Sequence, residues 1–439
     1  MIVEFSVENF CSIKERQTLS MVAANLKKFE EHTFETPAMT QDKLLKVSAI
    51  YGPNASGKTT LIRALSLFQS LVCFSLRDQA EDVVGSYLPF SLDEEWAGKP
   101  TSFRLEFVSN EMRYEYSFSY CKERVVCEAL YFYPSRKAKL FERSEDGTIT
   151  FGNLRGDKKI VQKSTRSYNL FLSRGADAGN EQLLEVFDYI KNKIVIFANA
   201  NIRFRSAMKS TIGLLRDDVD KRYETLVAGL LSAADVGVKN VSLETQDVEK
   251  FKFLEKLPDE VREMVIENEM YVPYGHHDVY RGDEVVGEKR FDLRFFESAG
   301  TYKIFELASP VLKALSDGLV LVVDELDNSI HTLISEYIVE LFNKNAHNQK
   351  NAQLVFTTHD VALLTPENFR RDQVWFCNKD RKGATAMYSL VEFESSAIRN
   401  ETRFDKWYLN GRFGAVPILQ KEKFEKFIKH KEEVGCGEA

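Results

Sequence analysis

Residues Gly52-Pro53-Asn54-Ala55-Ser56-Gly57-Lys58-Thr59 spell a complete GxxxxGK[ST] loop, and no other feature of the chain limits its fold as much. Such a loop needs a strand before it and a helix after it, because backbone N–H groups and a helix N-terminus must converge on phosphate oxygens. Both neighbours are present. Val47 to Tyr51 is an apolar strand, and from Thr59 to about Ser70 the apolar residues Leu61, Ile62, Leu65 and Leu67 mark a helix. Gly52 and Gly57 let the backbone turn, and Lys58 is placed for the β- and γ-phosphates of a nucleoside triphosphate. Thr59 offers its hydroxyl to Mg²⁺, with Thr60 completing the binding segment. An α/β fold is the expectation.

Far downstream, Gly318-Leu319-Val320-Leu321-Val322-Val323-Asp324-Glu325 is an apolar run that ends in two carboxylates. It reads as a buried parallel strand with both acids at its C-terminal end. Asp324 is positioned to hold the Mg²⁺ shell, and Glu325 to orient and deprotonate an attacking water. Immediately after come Leu326-Asp327-Asn328-Ser329-Ile330-His331, then a second apolar strand, Gln353 to Thr357, ending in Thr358-His359-Asp360. Just before the acidic strand, Phe296-Glu297-Ser298-Ala299-Gly300-Thr301 opens a helix from Tyr302 to about Leu315.

This order of motifs resembles the ATP-binding-cassette (ABC) ATPases. The resemblance implies ATP and Mg²⁺ as ligands, Ser298, Ala299, Gly300 and Thr301 as the signature, Asp327 as the D-loop residue and His359 as the switch that senses the γ-phosphate. In that class the signature contacts the nucleotide held by the opposite subunit, so ATP is sandwiched in a homodimer or a higher even-numbered homo-oligomer. The N-terminus, Ile2-Val3-Glu4-Phe5-Ser6-Val7-Glu8-Asn9-Phe10-Cys11-Ser12-Ile13-Lys14-Glu15, is similar to the opening of RecF-, SMC- and OLD-type ATPases. With Gln17 to Met21 and Tyr408-Leu409-Asn410-Gly411-Arg412-Phe413-Gly414-Ala415-Val416-Pro417, the chain resembles most the RloA/AbiLi-like ATPases of bacterial abortive-infection and restriction-linked loci. One departure from the pattern is that neither Gln69 nor Gln79 stands where a Q-loop Gln is expected.

Four segments follow. Residues 1–133 form an N-terminal ATPase lobe with hairpin strands at Thr101 to Val108, Arg113 to Tyr120 and Val126 to Tyr133. Residues 134–289 are expected to be an inserted, mainly helical domain, with helices at Gln182 to Lys191, Arg216 to Ala233 and Glu249 to Asn268. No heptad is sustained there. Residues 290–395 carry the second ATPase lobe, and 396–439 a helical tail with a charged helix at Lys421 to Glu433. Gly275-His276-His277-Asp278 reads as a polar turn rather than a metal site, for want of a third ligand at a recognisable spacing.

Composition narrows the functional classes. Hydrophobic residues at 44% and charged residues at 28% suit a globular protein with a large core. No segment approaches about 18 uninterrupted apolar residues, so no membrane span is expected, nor is Met1-Ile2-Val3-Glu4 expected to begin a signal peptide. Six dispersed cysteines without a CxxC pair predict free thiols in a reducing, cytoplasmic compartment. A net charge of −7 argues against coating nucleic acid by bulk electrostatics. Local basic runs still leave DNA or RNA contact open: Arg136, Lys137, Lys139 and Arg143 around Tyr131 to Tyr133; Lys158, Lys159, Lys163 and Arg166; and Arg203, Arg205 and Lys209.

The RloA/AbiLi resemblance implies an ATP-hydrolysing sensor that controls a separate effector, a nuclease from a neighbouring gene, in response to a phage-derived trigger. A RecF-type repair ATPase is the alternative. A self-contained OLD-type nuclease is disfavoured, because only about 80 residues follow His359, with no DxD among them, and a further metal-dependent domain needs more chain.

Overall fold

The computed structural model describes residues 1–76, 87–198, 210–234, 237–245, 270–393, 403–417 and 421. Two large sheets organise them. The parallel one is built from mainly apolar strands: β5 (Val47–Tyr51), β11 (Ile194–Phe197), β15 (Val320–Val323), β16 (Gln353–Thr357) and β17 (Val374–Lys379), with β18 (Thr385–Ser389) antiparallel at one edge. Their order is β11-β15-β16-β5-β17-β18, so the phosphate-loop strand β5 and the acidic strand β15 flank β16.

Mainly apolar strands are what burial on both faces requires. Alternate residues face opposite sides. Val320 and Val322 join one core with the Lys58–Phe74 helix, whereas Leu321 and Val323 join another with the Ala299–Asp317 and Thr332–Asn343 helices. The register of β15 on β16 pairs Val320 with Gln353 and Val323 with Phe356, and that of β16 on β5 pairs Thr357 with Ile50. These pairings bring the C-terminal ends of the three strands side by side.

The second sheet is antiparallel, in the order β10-β9-β8-β7-β6-β1-β2. Its strands are β1 (Ile2–Glu8), β2 (Gln17–Ser20), β6 (Thr101–Ser109), β7 (Met112–Tyr120), β8 (Val125–Phe132), β9 (Ala138–Arg143) and β10 (Ile149–Phe151). Phe5, Phe103 and Phe118 from its inner face surround Phe68 of the Lys58–Phe74 helix, with ring centroids 5.5–6.0 Å apart. The phosphate-loop helix is thereby clamped between the two sheets. Two small sheets complete the description: β3 (Thr33–Thr36) with β4 (Met39–Leu45), and β12 (Asn240–Thr245), β13 (Tyr271–Arg281) and β14 (Glu284–Asp292).

The segment 134–289 differs from the helical insertion expected of it. β9 and β10 extend the antiparallel sheet, because Leu140, Phe141 and Ile149 are buried despite the charges around them. β11 lies at the edge of the parallel sheet, paired along its whole length with β15. Helices do occur at Glu181–Asn192 and Arg222–Ala233, while the expected helix at Glu249 to Asn268 falls outside the described residues, as does Lys421 to Glu433 beyond its first residue.

The supposed tail also differs. Tyr408 stacks at 5.5 Å on Phe376 and lies 6.1 Å from Tyr51 of β5, and Phe413 stacks on Phe376 from the same segment. Phe404, Tyr408, Phe413 and Ala415 are therefore part of the parallel-sheet core. Cys11, Cys73, Cys121, Cys127 and Cys377 are free thiols, and no helix among the described residues is long and apolar enough to cross a membrane.

Candidate functional site

Gly52 and Gly57 have φ of 153° and 111°, and Ala55 between them has 62°. This turn bends the loop into a concave nest at the N-terminus of the Lys58–Phe74 helix, the shape that binds oxyanions through main-chain N–H groups. The nest is braced from behind. Thr385 Oγ1 donates to the Ser56 carbonyl at 2.9 Å and lies 2.9 Å from Ser12 Oγ, and Ser12 Oγ donates to Thr60 Oγ1 at 3.2 Å. A Cβ on Gly57 would stand 2.2 Å from Thr385 Oγ1, so only glycine fits there.

Lys58 is buried, and its amine donates to the Gly52 carbonyl at 2.8 Å and the Pro53 carbonyl at 3.1 Å. Burial lowers its pKa below the ordinary lysine value, with Cys377, Asp324, Glu325 and Asp327 opposing that shift. Ser56 Oγ, on a residue 1% exposed, has no hydrogen-bond partner among the described residues. A buried cation folded back onto carbonyls, an unsatisfied hydroxyl and a glycine-lined nest all fit a phosphate chain.

The acidic pair arrives on β15. Asp324 is buried, and its Oδ1 accepts from Thr59 Oγ1 at 3.2 Å and from Thr357 Oγ1 at 2.7 Å. The Glu325 N–H donates to the same Thr357 hydroxyl at 2.7 Å, and Glu325 has φ of 55°. A side chain in that left-handed region is uncommon, and here it turns the carboxylate away from the strand at its C-terminal end. Thr59 and Asp324 form an oxygen-rich pair that fits Mg²⁺, which prefers hard oxygen ligands and retains several waters.

Asp327 accepts from the His359 N–H through both carboxylate oxygens, at 3.1 and 3.3 Å, tying the loop after β15 to the end of β16. Burial, reinforced by the Lys58 cation, holds the His359 imidazole below its ordinary pKa. The neutral ring is therefore favoured at pH 7.

The 298–301 turn is built separately. Ser298 caps the Ala299–Asp317 helix, its Oγ accepting from the Thr301 N–H at 3.0 Å and lying 2.9 Å from Thr301 Oγ1. Among the described residues no hydrogen bond joins this turn to the phosphate loop. Ser298 and Ala299 are exposed, and a Cβ on Gly300 would stand 2.5 Å from the Ser329 carbonyl.

Of the residues singled out from sequence, the loop 52–60, Asp324, Glu325, Asp327 and His359 come together at the ends of β5, β15 and β16, with Ser298–Thr301 at the mouth of its own helix. Thr357, Thr385 and Ser12 were not singled out as site residues. A threonine closing an otherwise apolar strand was the available signal for Thr357; nothing local marked Thr385.

Other expectations change. Gln69 is buried within its helix and donates to the Ile190 and Ile194 carbonyls, both at 2.8 Å, a structural role; Gln79 lies outside the described residues. Gly275 to Asp278 is not a turn but part of strand β13. His276 there meets Ser242 and Glu288, His277 meets Glu297, and no group of three metal-binding side chains occurs among the described residues. Three of the four basic residues near Tyr131 have partners nearby: Arg143 is buried on the Ser167 and Asn169 carbonyls, Lys137 pairs with Glu115 and Lys139 with Glu142, while Arg136 is exposed. Arg203, Arg205 and Lys209 lie outside the described residues.

Residues 47–365 match a protein family described as "AAA domain, putative AbiEii toxin, Type IV TA system". No curated protein matches the chain. Similar solved structures include an SMC head domain from Thermotoga maritima, with 13% identity, 88% of this chain and 98% of that chain covered, and a TM-score of 0.39. An SMC head bound to the C-terminal winged-helix domain of ScpA gives 11%, 88%, 97% and 0.40. An SMC head with an extended coiled coil, bound to the C-terminal domain of ScpA from Pyrococcus furiosus, gives 11%, 88%, 96% and 0.41.

Proposed function

The chain belongs to the family of AAA domains described as "putative AbiEii toxin, Type IV TA system", and we propose, from the order of its motifs and the geometry of the site, that it is an ATP hydrolase working as a pair of copies, each completing the other's nucleotide site. The observation that carries this reading is the meeting of Lys58, Thr59, Asp324, Glu325 and Thr357 at the ends of three adjacent strands.

In this reading the nest and Lys58 hold the β- and γ-phosphates, Lys58 exchanging its two carbonyl partners for phosphate oxygens. Thr59 and Asp324 hold Mg²⁺, which when bound neutralises developing charge on the phosphates. Glu325 takes the proton of the attacking water. His359, kept neutral and braced by Asp327, has a ring nitrogen free to donate toward the γ-phosphate.

The 298–301 turn, exposed at Ser298 and Ala299 and unconnected to its own phosphate loop, serves the site of the other copy. The chain then acts as the ATP-dependent sensor of an anti-phage system in the cytoplasm, controlling a separate effector of nuclease type. That effector role rests on the resemblance to RloA/AbiLi-like ATPases.

The test mixes two inactive variants, Lys58→Ala and Ser298→Arg. Ser298 is chosen over Gly300 because any side chain at Gly300 would collide with Ser329 of the same copy. In a mixed dimer one site carries both lesions and the other neither, so part of the turnover returns. Mixed dimers that form yet stay as inactive as either parent count against the shared site.

A further inference from the structure

The stretch that leads into the 298–301 turn has little burial of its own. Leu293 is fully buried and Thr301 is buried, but Phe295 and Phe296 between them are 76% and 72% exposed. Backbone bonds from Phe295 and Phe296 to the Asp292 carbonyl, with Arg294 folded onto the Asp292 carboxylate, shape this stretch locally. The inserted hairpin adds a further tie. Glu297, next to Ser298, meets His277 Nε2 at 2.7 Å, and among the described residues that is the one hydrogen-bond partner of its carboxylate. Phe296 packs against Phe291 at 5.9 Å, and His277 meets the edge of the same Phe291 ring at 5.5 Å.

His277 and Phe291 belong to the β13–β14 hairpin, where His277 lies opposite Lys289 and Phe291 opposite Gly275. The root of the hairpin is fixed: Gly275 is packed so closely on Leu293 and Val238 that a Cβ would stand 2.7 Å from Leu293. Its outer end is bare, with Val279, Tyr280, Val285 and Val286 all exposed. A rigid root thus presents one imidazole to the carboxylate that begins the turn.

We propose that His277, through Glu297, is a positioning residue for the 298–301 turn, setting where that turn stands when it meets ATP on the other copy. The inference rests on the proposed shared site. It adds that the inserted hairpin, not the Ala299–Asp317 helix alone, determines how well the turn is placed. Catalytic groups held away from their productive position lose rate rather than affinity, so the effect falls on kcat.

The experiment measures steady-state ATP turnover and ATP affinity for His277→Ala, Glu297→Ala, the double variant and His277→Gln, beside Ser298→Arg. A further control replaces residues 279–286 with a short turn, leaving the root intact. His277→Ala and Glu297→Ala should each lower kcat about tenfold, with KM and ATP affinity unchanged. The double variant should be no worse than either single, because the two act as one unit. His277→Gln, which keeps a donor for Glu297, should recover most of the rate, and the shortened hairpin should match the parent.

If Ser298→Arg abolishes turnover while His277→Ala and Glu297→Ala retain it, the positioning role is wrong and the shared site stands. If Ser298→Arg itself retains turnover, the shared site fails and the inference falls with it. Should His277→Ala unfold, Glu297→Ala and His277→Gln still decide: full rate in Glu297→Ala, or no rate in a folded His277→Gln, overturns the proposal.

Discussion

The Thr357 hydroxyl donates to Asp324 Oδ1 and accepts from the N–H of Glu325, both at 2.7 Å, so one threonine on β16 fixes both acids at the end of β15. Its removal reaches two groups at once. In Thr357→Val, which keeps the side-chain shape, the Glu325 N–H loses its partner in a residue already held at φ 55°. A stability loss of about 1–3 kcal/mol is expected. Turnover should fall further than ATP affinity, because the phosphate nest is untouched. Urea unfolding and steady-state kinetics check this; a variant as stable and as fast as the parent would show that Thr357 fixes neither acid.

Gly57→Ala should abolish ATP binding. The added methyl meets Thr385 Oγ1 at 2.2 Å and sits at φ 111°, a region L-residues rarely enter. Pairing it with Thr385→Ala relieves the collision but not the backbone, so binding should return only in part. Equilibrium dialysis with ATP measures both, and full recovery in the pair would assign the whole effect to the collision.

Lys58→Ala and Glu325→Gln should fail differently. Lys58 acts on phosphate oxygens and Glu325 on a water, so the first should lose nucleotide affinity and the second should retain ATP while turning it over slowly. Nucleotide retained after gel filtration distinguishes them. Tight binding by Lys58→Ala, or undiminished turnover by Glu325→Gln, would remove the residue concerned from its assigned place.

A pH effect is expected at the outer face of the antiparallel sheet. Burial alone would raise the Glu115 pKa, but hydrogen bonds from Arg104, Lys137 and Tyr133 outweigh it and hold the group at about 2. A carboxylate whose folded pKa lies below its unfolded value of 4.5 contributes stability in full above that value and loses it as pH falls toward 2. Allowing for solvent screening, the contribution is about 1–2 kcal/mol. Glu115→Gln should therefore be less stable than the parent at pH 7, and the gap should narrow below pH 4.5. Chemical unfolding at several pH values tests this, and a gap that stays constant down to pH 3 would contradict it.

Local pattern was enough to place the phosphate loop between a strand and a helix, to find two acids at the end of a buried strand and to expect a helix shortly after Ser298. Each depends on residues adjacent in the chain, where backbone geometry and apolar periodicity leave a direct trace. The three hairpin strands between Thr101 and Phe132 were legible for the same reason.

Contacts between distant segments left no such trace. Only the fold carries Thr385 to Ser12, 373 positions away, and closes the brace behind Gly57. Only sheet pairing makes the four residues of β11 an edge of the parallel sheet, and only packing against Tyr51 and Phe376 brings Tyr408 and Phe413 from the expected tail into the core. The His277 imidazole likewise reads as part of a polar turn until strand β13 sets it against Glu297. Short strands and lone polar side chains have little periodicity of their own. Their roles are decided by burial and by partners that arrive from elsewhere in the chain.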